Sequence, residues 1–285
     1  MNFFVLGCNG MAGHLISLYL KERGYSVIGF ARVKSKYVDT VVGDAQNTEL
    51  LKRIINENDF DVVVNCLGML NQFAEDDKAS ATFINSYLPH FLAKITFGSK
   101  TQIIQISTDC VFSGSRGGYT ENDFCDGVTF YDRSKALGEL SDSKNLTLRS
   151  SIVGPDINKD GIGLLNWFMN QTGEVKGYTK SIWTGQTTLQ LAKTVEKAAF
   201  LKANGLYNVV PDYPISKYEL LKLFNKYFRN NSLEIIPVEG VTADKSLIRT
   251  NYQFEYIIPN YETMITELAE WIKIHEEIYP HYKFF

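Results

Sequence analysis

The sequence predicts an α/β fold, a doubly wound parallel sheet with a smaller C-terminal lobe, and three observations carry that prediction. Apolar runs such as Phe3-Phe4-Val5-Leu6 and Val62-Val63-Val64 show no polar alternation, as strands do when both faces are covered. Segments of helical periodicity separate these runs, and repeated strand–helix units of this length build parallel sheets. The first run also enters a glycine turn, Gly7-Cys8-Asn9-Gly10-Met11-Ala12-Gly13, which opens a helix. With 285 residues the chain is long enough for one large α/β domain or a main domain with a lobe.

Composition narrows the class. A hydrophobic content of 45% with 21% charged residues is that of an ordinary globular protein, and the formal net charge of −3 gives no reason to expect nucleic acid or an anionic membrane as partner. No apolar run approaches the ~20 residues that span a bilayer. Met1-Asn2-Phe3-Phe4 lacks a basic leader and reads as a first strand rather than a signal peptide. Cys8, Cys66, Cys110 and Cys125 have no Cys-x-x-Cys spacing, so reduced thiols in a cytoplasmic protein are expected. His14, His90, His275 and His281 are scattered without ligand spacing, and no metal site is expected.

In the glycine turn, Gly7 permits a tight turn, Gly10 lets a pyrophosphate approach backbone amides, and Gly13 allows close packing of helix on sheet. Leu15, Leu18 and Tyr19 continue the helix, whose N-terminus offers amides and a partial positive charge to phosphates. Gly24 stops it, and Tyr25 to Phe30 reads as a second strand. An NAD-specific site places Asp or Glu after that strand for the ribose hydroxyls. This chain has Ala31-Arg32-Val33-Lys34-Ser35-Lys36 instead, three cations where a 2′-phosphate would lie, with Arg32 the best forked contact. NADP(H) is therefore expected over NAD(H).

Val41 to Ala45 reads as a third strand, with Asp44 placed to meet the adenine amine, and Asn47 to Asn58 as a helix. Asp61 to Gly68 is a fourth strand with Asn65 and Gly68 bordering the cofactor groove, and 78–97 is one long helix. Thr101 to Ile106 is the fifth strand and ends in Ser107-Thr108-Asp109. Ligands of such sheets gather at the carboxyl ends of strands, the edge that Gly7, Asn65 and Ser107-Thr108 share. In the lobe, Gly161 to Gln171, Thr188 to Lys202, the segment capped by Ser216 with Glu219 in a capping box, and Asn260 to Glu277 read as helices. Leu206 to Val210 returns to the sheet as a strand.

Tyr131 and Lys135 stand four residues apart, so a helix puts them on one face. A phenol titrates near ~10 and a neighbouring ammonium lowers that value, which suits a proton donor at a carbonyl. The spacing alone selects nothing, because Tyr213/Lys217, Tyr218/Lys222 and Tyr279/Lys283 share it. Only Tyr131/Lys135 follows the hydroxyl-ended strand inside the sheet-forming half; the others are expected to face solvent or the lobe.

With these residues together the chain resembles the extended short-chain dehydrogenases/reductases. Within them it is most similar to the dTDP-4-dehydrorhamnose reductase family of nucleotide-sugar 4-keto reductases. The resemblance covers most of the chain and rests on the residue-7 turn, Ser107-Thr108-Asp109-Cys110-Val111-Phe112-Ser113-Gly114, Tyr119-Thr120-Glu121, and Tyr131-x-x-Ser134-Lys135-x-x-Gly138-Glu139. Leu148-Arg149-Ser150-Ser151 and Trp183-Thr184-Gly185-Gln186-Thr187-Thr188 look like the later blocks.

The resemblance implies a Rossmann-type NADP-binding domain over 1–150, to which 181–210 returns, and a substrate lobe over 151–180 and 211–285. It implies a catalytic set of Thr108, Tyr131 and Lys135. Tyr131 would donate a proton to O4 of the sugar, Lys135 would lower the phenol pKa and hold the nicotinamide ribose, and Thr108 would bond the reacting oxygen. The expected cofactor set is Gly7, Asn9, Gly10, Met11, Ala12, Arg32, Asp44, Ala45, Cys66, Leu67, Gly68, Tyr131 and Lys135. The expected substrate set is Thr108, Asp109, Val111, Trp183, Lys245 and Arg249, the last two near a nucleotide diphosphate.

Related 4,6-dehydratases carry Asp-Glu after the threonine; Asp109-Cys110 lacks that glutamate, which favours an enzyme that uses and releases NADPH. The family commonly has Trp after its Arg-Thr-Ser segment, whereas this chain has Ser150-Ser151-Ile152. An altered pocket and a UDP-linked 2-acetamido-2,6-dideoxy-4-hexulose therefore stand as the alternative to the dTDP sugar. A non-catalytic NADP-binding subunit is the alternative of another class. The expected partner is a nucleotide sugar, not a nucleic-acid polymer or a membrane; homodimerisation and a metal at a subunit interface stay open.

Overall fold

The computed structural model describes residues 1–282, and its strands follow from the apolar runs. β1 (Asn2–Leu6) sends Phe3 and Val5 into one core and Phe4 and Leu6 into the other. β4 (Val62–Asn65) repeats this with Val62 and Val64 against Val63, and β5 (Gln102–Ser107) with Ile104 and Ile106 against Ile103. A strand whose two faces are both packed needs apolar residues in unbroken series. β2 (Ser26–Ala31), β3 (Asp39–Val42), β6 (Leu146–Arg149) and β11 (Gly205–Asn208) complete a seven-stranded sheet in the order β11-β6-β5-β4-β1-β2-β3. Every pairing in it is parallel. The order reverses between β1 and β4, which opens a crevice at their carboxyl ends.

On one side α1 (Met11–Glu22) and α8 (Thr188–Leu201) pack together, while α2 (Thr48–Glu57) lies on the other. The expected single helix over 78–97 is instead α3 (Asn71–Asp76) and α4 (Lys78–Ala81), a π-helical turn over Thr82–Tyr87, and α5 (Leu88–Ile95). α6 (Phe130–Leu137) packs against the π turn. The third strand lies two residues earlier than expected, and β4 ends at Asn65, which leaves Cys66 to Gly68 as a crevice-lining loop.

The remaining chain contributes β7 (Ser151–Val153), α7 (Leu164–Met169), β8 (Glu174–Tyr178), β9 (Ser181–Trp183) and β10 (Gly185–Thr187). β12 (Ile215–Ser216), α9 (Lys217–Phe228), β13 (Glu234–Val238), β14 (Ala243–Asp244) and α10 (Tyr261–Ile274) follow β11. Three small sheets form, β10-β7, β12-β9-β14 and β13-β8, the first two from strands of only two or three residues. Tyr119 bridges Leu247, which ties the loop after β5 to the loop after β14. Ser216 accepts from the Glu219 amide, but Glu219 pairs with Lys222 rather than closing the expected box. No helix among the described residues is long and apolar enough to cross a membrane.

Candidate active site

α6 starts where it does because Thr129 and Asp132 close a reciprocal capping box, the side chain of each taking the other's backbone amide. The Phe130 amide donates to Glu75 of α3 at 2.6 Å, so the helix start is held from outside as well. This puts Tyr131 and Lys135 on the inner face, both buried. The Lys135 ammonium donates to the Ile106 carbonyl of β5 at 2.9 Å. Burial pushes its pKa down to about 8, against the opposing pull of Glu139 and Cys66. Cys66 answers from the β4 end, its thiol pushed up to about 12 by burial.

Burial raises the Tyr131 pKa, the charges of Cys110 and Asp109 add to this, and a hydrogen bond with Thr108 works against it. The expectation that Lys135 lowers the phenol is thus corrected: in the protein alone desolvation prevails, and the ammonium is turned to a sheet carbonyl. A neutral phenol is still the form that donates a proton. Thr108 accepts from the Cys110 amide at 3.1 Å and donates to the Asp109 carboxylate at 3.2 Å, which orients its hydroxyl at the end of β5.

Two side chains fix this arrangement, Asn85, which has no signal in the sequence, and Glu139, which closes the Tyr131 motif. Asn85, buried in the π turn, donates to Ser134 of α6 at 2.9 Å and to the Met69 carbonyl at 3.0 Å, while its oxygen accepts from the Met69 amide. Nothing in Thr82–Tyr87 signals the extra residue of a π turn, since its composition is that of a plain helix. Glu139 accepts from Arg149 at 2.9 and 2.6 Å and from Ser107 at 2.6 Å, a buried pair that joins α6 to β5 and β6.

At the crevice, Gly7 adopts φ +80°, and a Cβ on Gly13 would lie 2.1 Å from the Gly7 carbonyl oxygen, so both must be glycine. Gly10 differs. Its φ is −82°, and a Cβ there would meet only that same oxygen, at 3.4 Å. Packing does not require glycine at this position, whereas a pyrophosphate drawn to the uncapped start of α1 does. Met11 is half-buried beside Gly163, Ala12 is buried in α1, and Cys66, Leu67 and Gly68 form the facing wall. Asn9 donates to the Val33 carbonyl at 2.7 Å and so positions the basic loop, where Arg32, Lys34 and Lys36 are exposed. Asp44 is exposed and accepts from the Gln46 amide; Ala45 is buried. The residues present fit a dinucleotide with an extra phosphate.

The substrate set is only partly brought together. Asp109 is buried beside Thr108; burial raises its pKa, and Lys217 and Lys245 oppose that shift. Two of the expected side chains are engaged elsewhere in the protein. The Val111 side chain is wholly buried in a small core with Phe112, Tyr119, Val210 and Leu247. Arg249 turns its guanidinium onto the carbonyls of Asn251, Phe254 and Tyr256, since a half-buried loop must satisfy its own backbone. Trp183 is buried, with Lys217 over its ring at 5.1 Å.

Of the other Tyr/Lys pairs, Tyr218/Lys222 lies on the surface of α9, Tyr213 is exposed, and Lys283 falls outside the described residues. Lys217, contrary to expectation, faces the site. Its only sequence signal was the Ser216 cap, which makes it the first residue of α9.

The fold is that of the extended short-chain dehydrogenases/reductases. The chain belongs to the family described as RmlD substrate binding domain, whose model matches residues 1–253, the dTDP-4-dehydrorhamnose reductase family. It is 30% identical over 197 residues to the probable low-salt glycan biosynthesis reductase Agl14 of Haloferax volcanii. That match covers 66% of this chain and 65% of the relative, just under two thirds of its length. It is 28% identical to the dTDP-4-dehydrorhamnose reductase of Burkholderia thailandensis, over 73% of this chain and 72% of that one. Among solved structures, the dTDP-4-dehydrorhamnose reductase of Bacillus anthracis in complex with NADP superposes with a TM-score of 0.79. The superposition covers 95% of this chain and 99% of that one at 21% identity.

Proposed function

We propose that this chain reduces the 4-keto group of a nucleotide-linked 6-deoxyhexose with NADPH, most readily dTDP-4-dehydrorhamnose, in the making of a surface polysaccharide. The observation that carries the reading is the Tyr131 phenol, buried on the inner face of α6 beside Thr108 at the carboxyl end of β5 and one helical turn from the equally buried Lys135. Gly7 to Ala12, the Cys66 to Gly68 wall and Arg32 are the residues that would hold NADPH, which supplies a hydride when bound. Tyr131 gives its proton to the ketone oxygen, Thr108 holds that oxygen in line, and Lys135 supplies a fixed positive charge beside them. The similarity to a glycan biosynthesis reductase and to a dTDP-4-dehydrorhamnose reductase supports a nucleotide-sugar reductase.

One observation favours a second sugar. Ile152, half-buried in β7, stands where the resembled family commonly has a tryptophan near the sugar, and the smaller side chain is what favours a bulkier 2-acetamido substituent on a UDP-linked hexulose. NADPH oxidation followed with each keto-sugar separates the two. The reading predicts turnover with one of them and a loss of about 10²–10⁴-fold in Tyr131→Phe with NADPH affinity retained. Unchanged turnover in that variant removes Tyr131 as the proton donor, and a wild-type chain that binds NADPH but turns over neither sugar leaves only the NADP-binding subunit.

A further inference from the structure

Lys217 and Lys245 come from the two sides of β9, since the residue before each, Ser216 and Asp244, pairs with Ile182. Lys217 is the first residue of α9, Lys245 follows β14, and both ammoniums lie within electrostatic reach of Asp109. Neither forms an ion pair with any carboxylate among the described residues. Asp244, the acidic neighbour of Lys245, is turned to the loop at Gly117, where a Cβ would lie 2.2 Å from its oxygen. Two ammoniums thus face one carboxylate, and a half-buried excess of positive charge costs free energy until an anion joins it.

The surroundings hold both lysines at the site. Lys217 sits on the face of Trp183 at 5.1 Å, and the Trp183 Nε1, although buried, has no hydrogen-bond partner. The Lys245 stem lies on Gly114, where a Cβ would approach its Cγ to 2.8 Å. Arg249, the other cation of this loop, is held by backbone carbonyls.

We propose that Lys217, paired with Lys245 across Asp109, is a substrate-binding residue and takes the diphosphate of the nucleotide sugar. This rests on the reductase reading above. A diphosphate brings two negative charges and oxygens that accept from both ammoniums, whereas a neutral sugar ring leaves the excess charge in place.

The test is calorimetric titration of dTDP and of UDP into the full chain saturated with NADPH, with Lys217→Met, Lys217→Arg and, as control, Lys222→Met. Lys217→Met is expected to weaken the better nucleotide about tenfold and to raise KM for its sugar equally, with kcat within a few-fold. Lys217→Arg should keep most of the affinity, and Lys222→Met all of it. An unchanged nucleotide affinity in Lys217→Met, with NADPH binding and melting temperature intact, overturns the proposal. So does a loss confined to the sugar, which would put the ammonium on the ring, and so does a wild-type chain that binds neither nucleotide. A wild-type chain that binds a nucleotide through Lys217 but reduces neither keto-sugar sinks the reductase reading and leaves this assignment standing.

Discussion

A lysine whose ammonium is buried against one carbonyl keeps its proton less firmly than a solvated one. Lys135 titrates at about 8 in the folded chain, below the ordinary lysine value. If its charge is needed, kcat/KM of the free protein should fall as pH rises through about 8, and a profile flat across that range contradicts the role. Stability moves the other way. Above pH 8 the folded chain has released a proton that the unfolded chain still holds, so this residue favours folding increasingly as pH rises toward the ordinary lysine range. Tyr131 and Lys135 themselves were legible in the sequence. The sign of the Tyr131 shift was not, because desolvation depends on what covers the phenol, and that cover comes from separate parts of the chain.

At the scale of elements, the site depends on how closely α6 sits against the π turn. The Asn85 carbonyl oxygen comes within 1.8 Å of where a Cβ on Gly138 would be. Gly138→Ala must push the two apart; thermal denaturation should show a loss of about 1–3 kcal/mol, with turnover reduced because Asn85 and Ser134 move too. The Glu139–Arg149 pair makes a sharper case. Glu139→Ala leaves the Arg149 guanidinium buried without its bidentate partner, and denaturant unfolding should register about 3–5 kcal/mol. Sequence patterning located α6 but ran a single helix through Thr82–Tyr87, since a π turn is selected by the helix it meets and not by its own composition.

For the whole molecule, Asn9 ties the glycine turn to the basic loop after β2, and the proposed preference for NADPH rests on that loop. Arg32→Ala should weaken NADPH about tenfold or more and leave NADH unchanged, measured by fluorescence titration of each. Equal effects on both would mean that Arg32 meets no 2′-phosphate. Elsewhere, β9 joins β12 and β14 in one small sheet, and the Tyr119–Leu247 bridge ties the loop after β14 to the loop after β5.

The sequence by itself determined the parallel sheet, the glycine turn, the hydroxyl-ended β5, the Tyr131/Lys135 helix and the family. All of these are local patterns, written in consecutive residues with a period of two or of 3.6. The tertiary structure alone decided that Val111 is core, that Arg249 serves its own loop, and that Lys217 turns inward onto Trp183 and Asp109. Each of those outcomes depends on strands of two or three residues that pair across the chain. Such pairings leave no periodic trace, and they form only once the large sheet has brought their ends together.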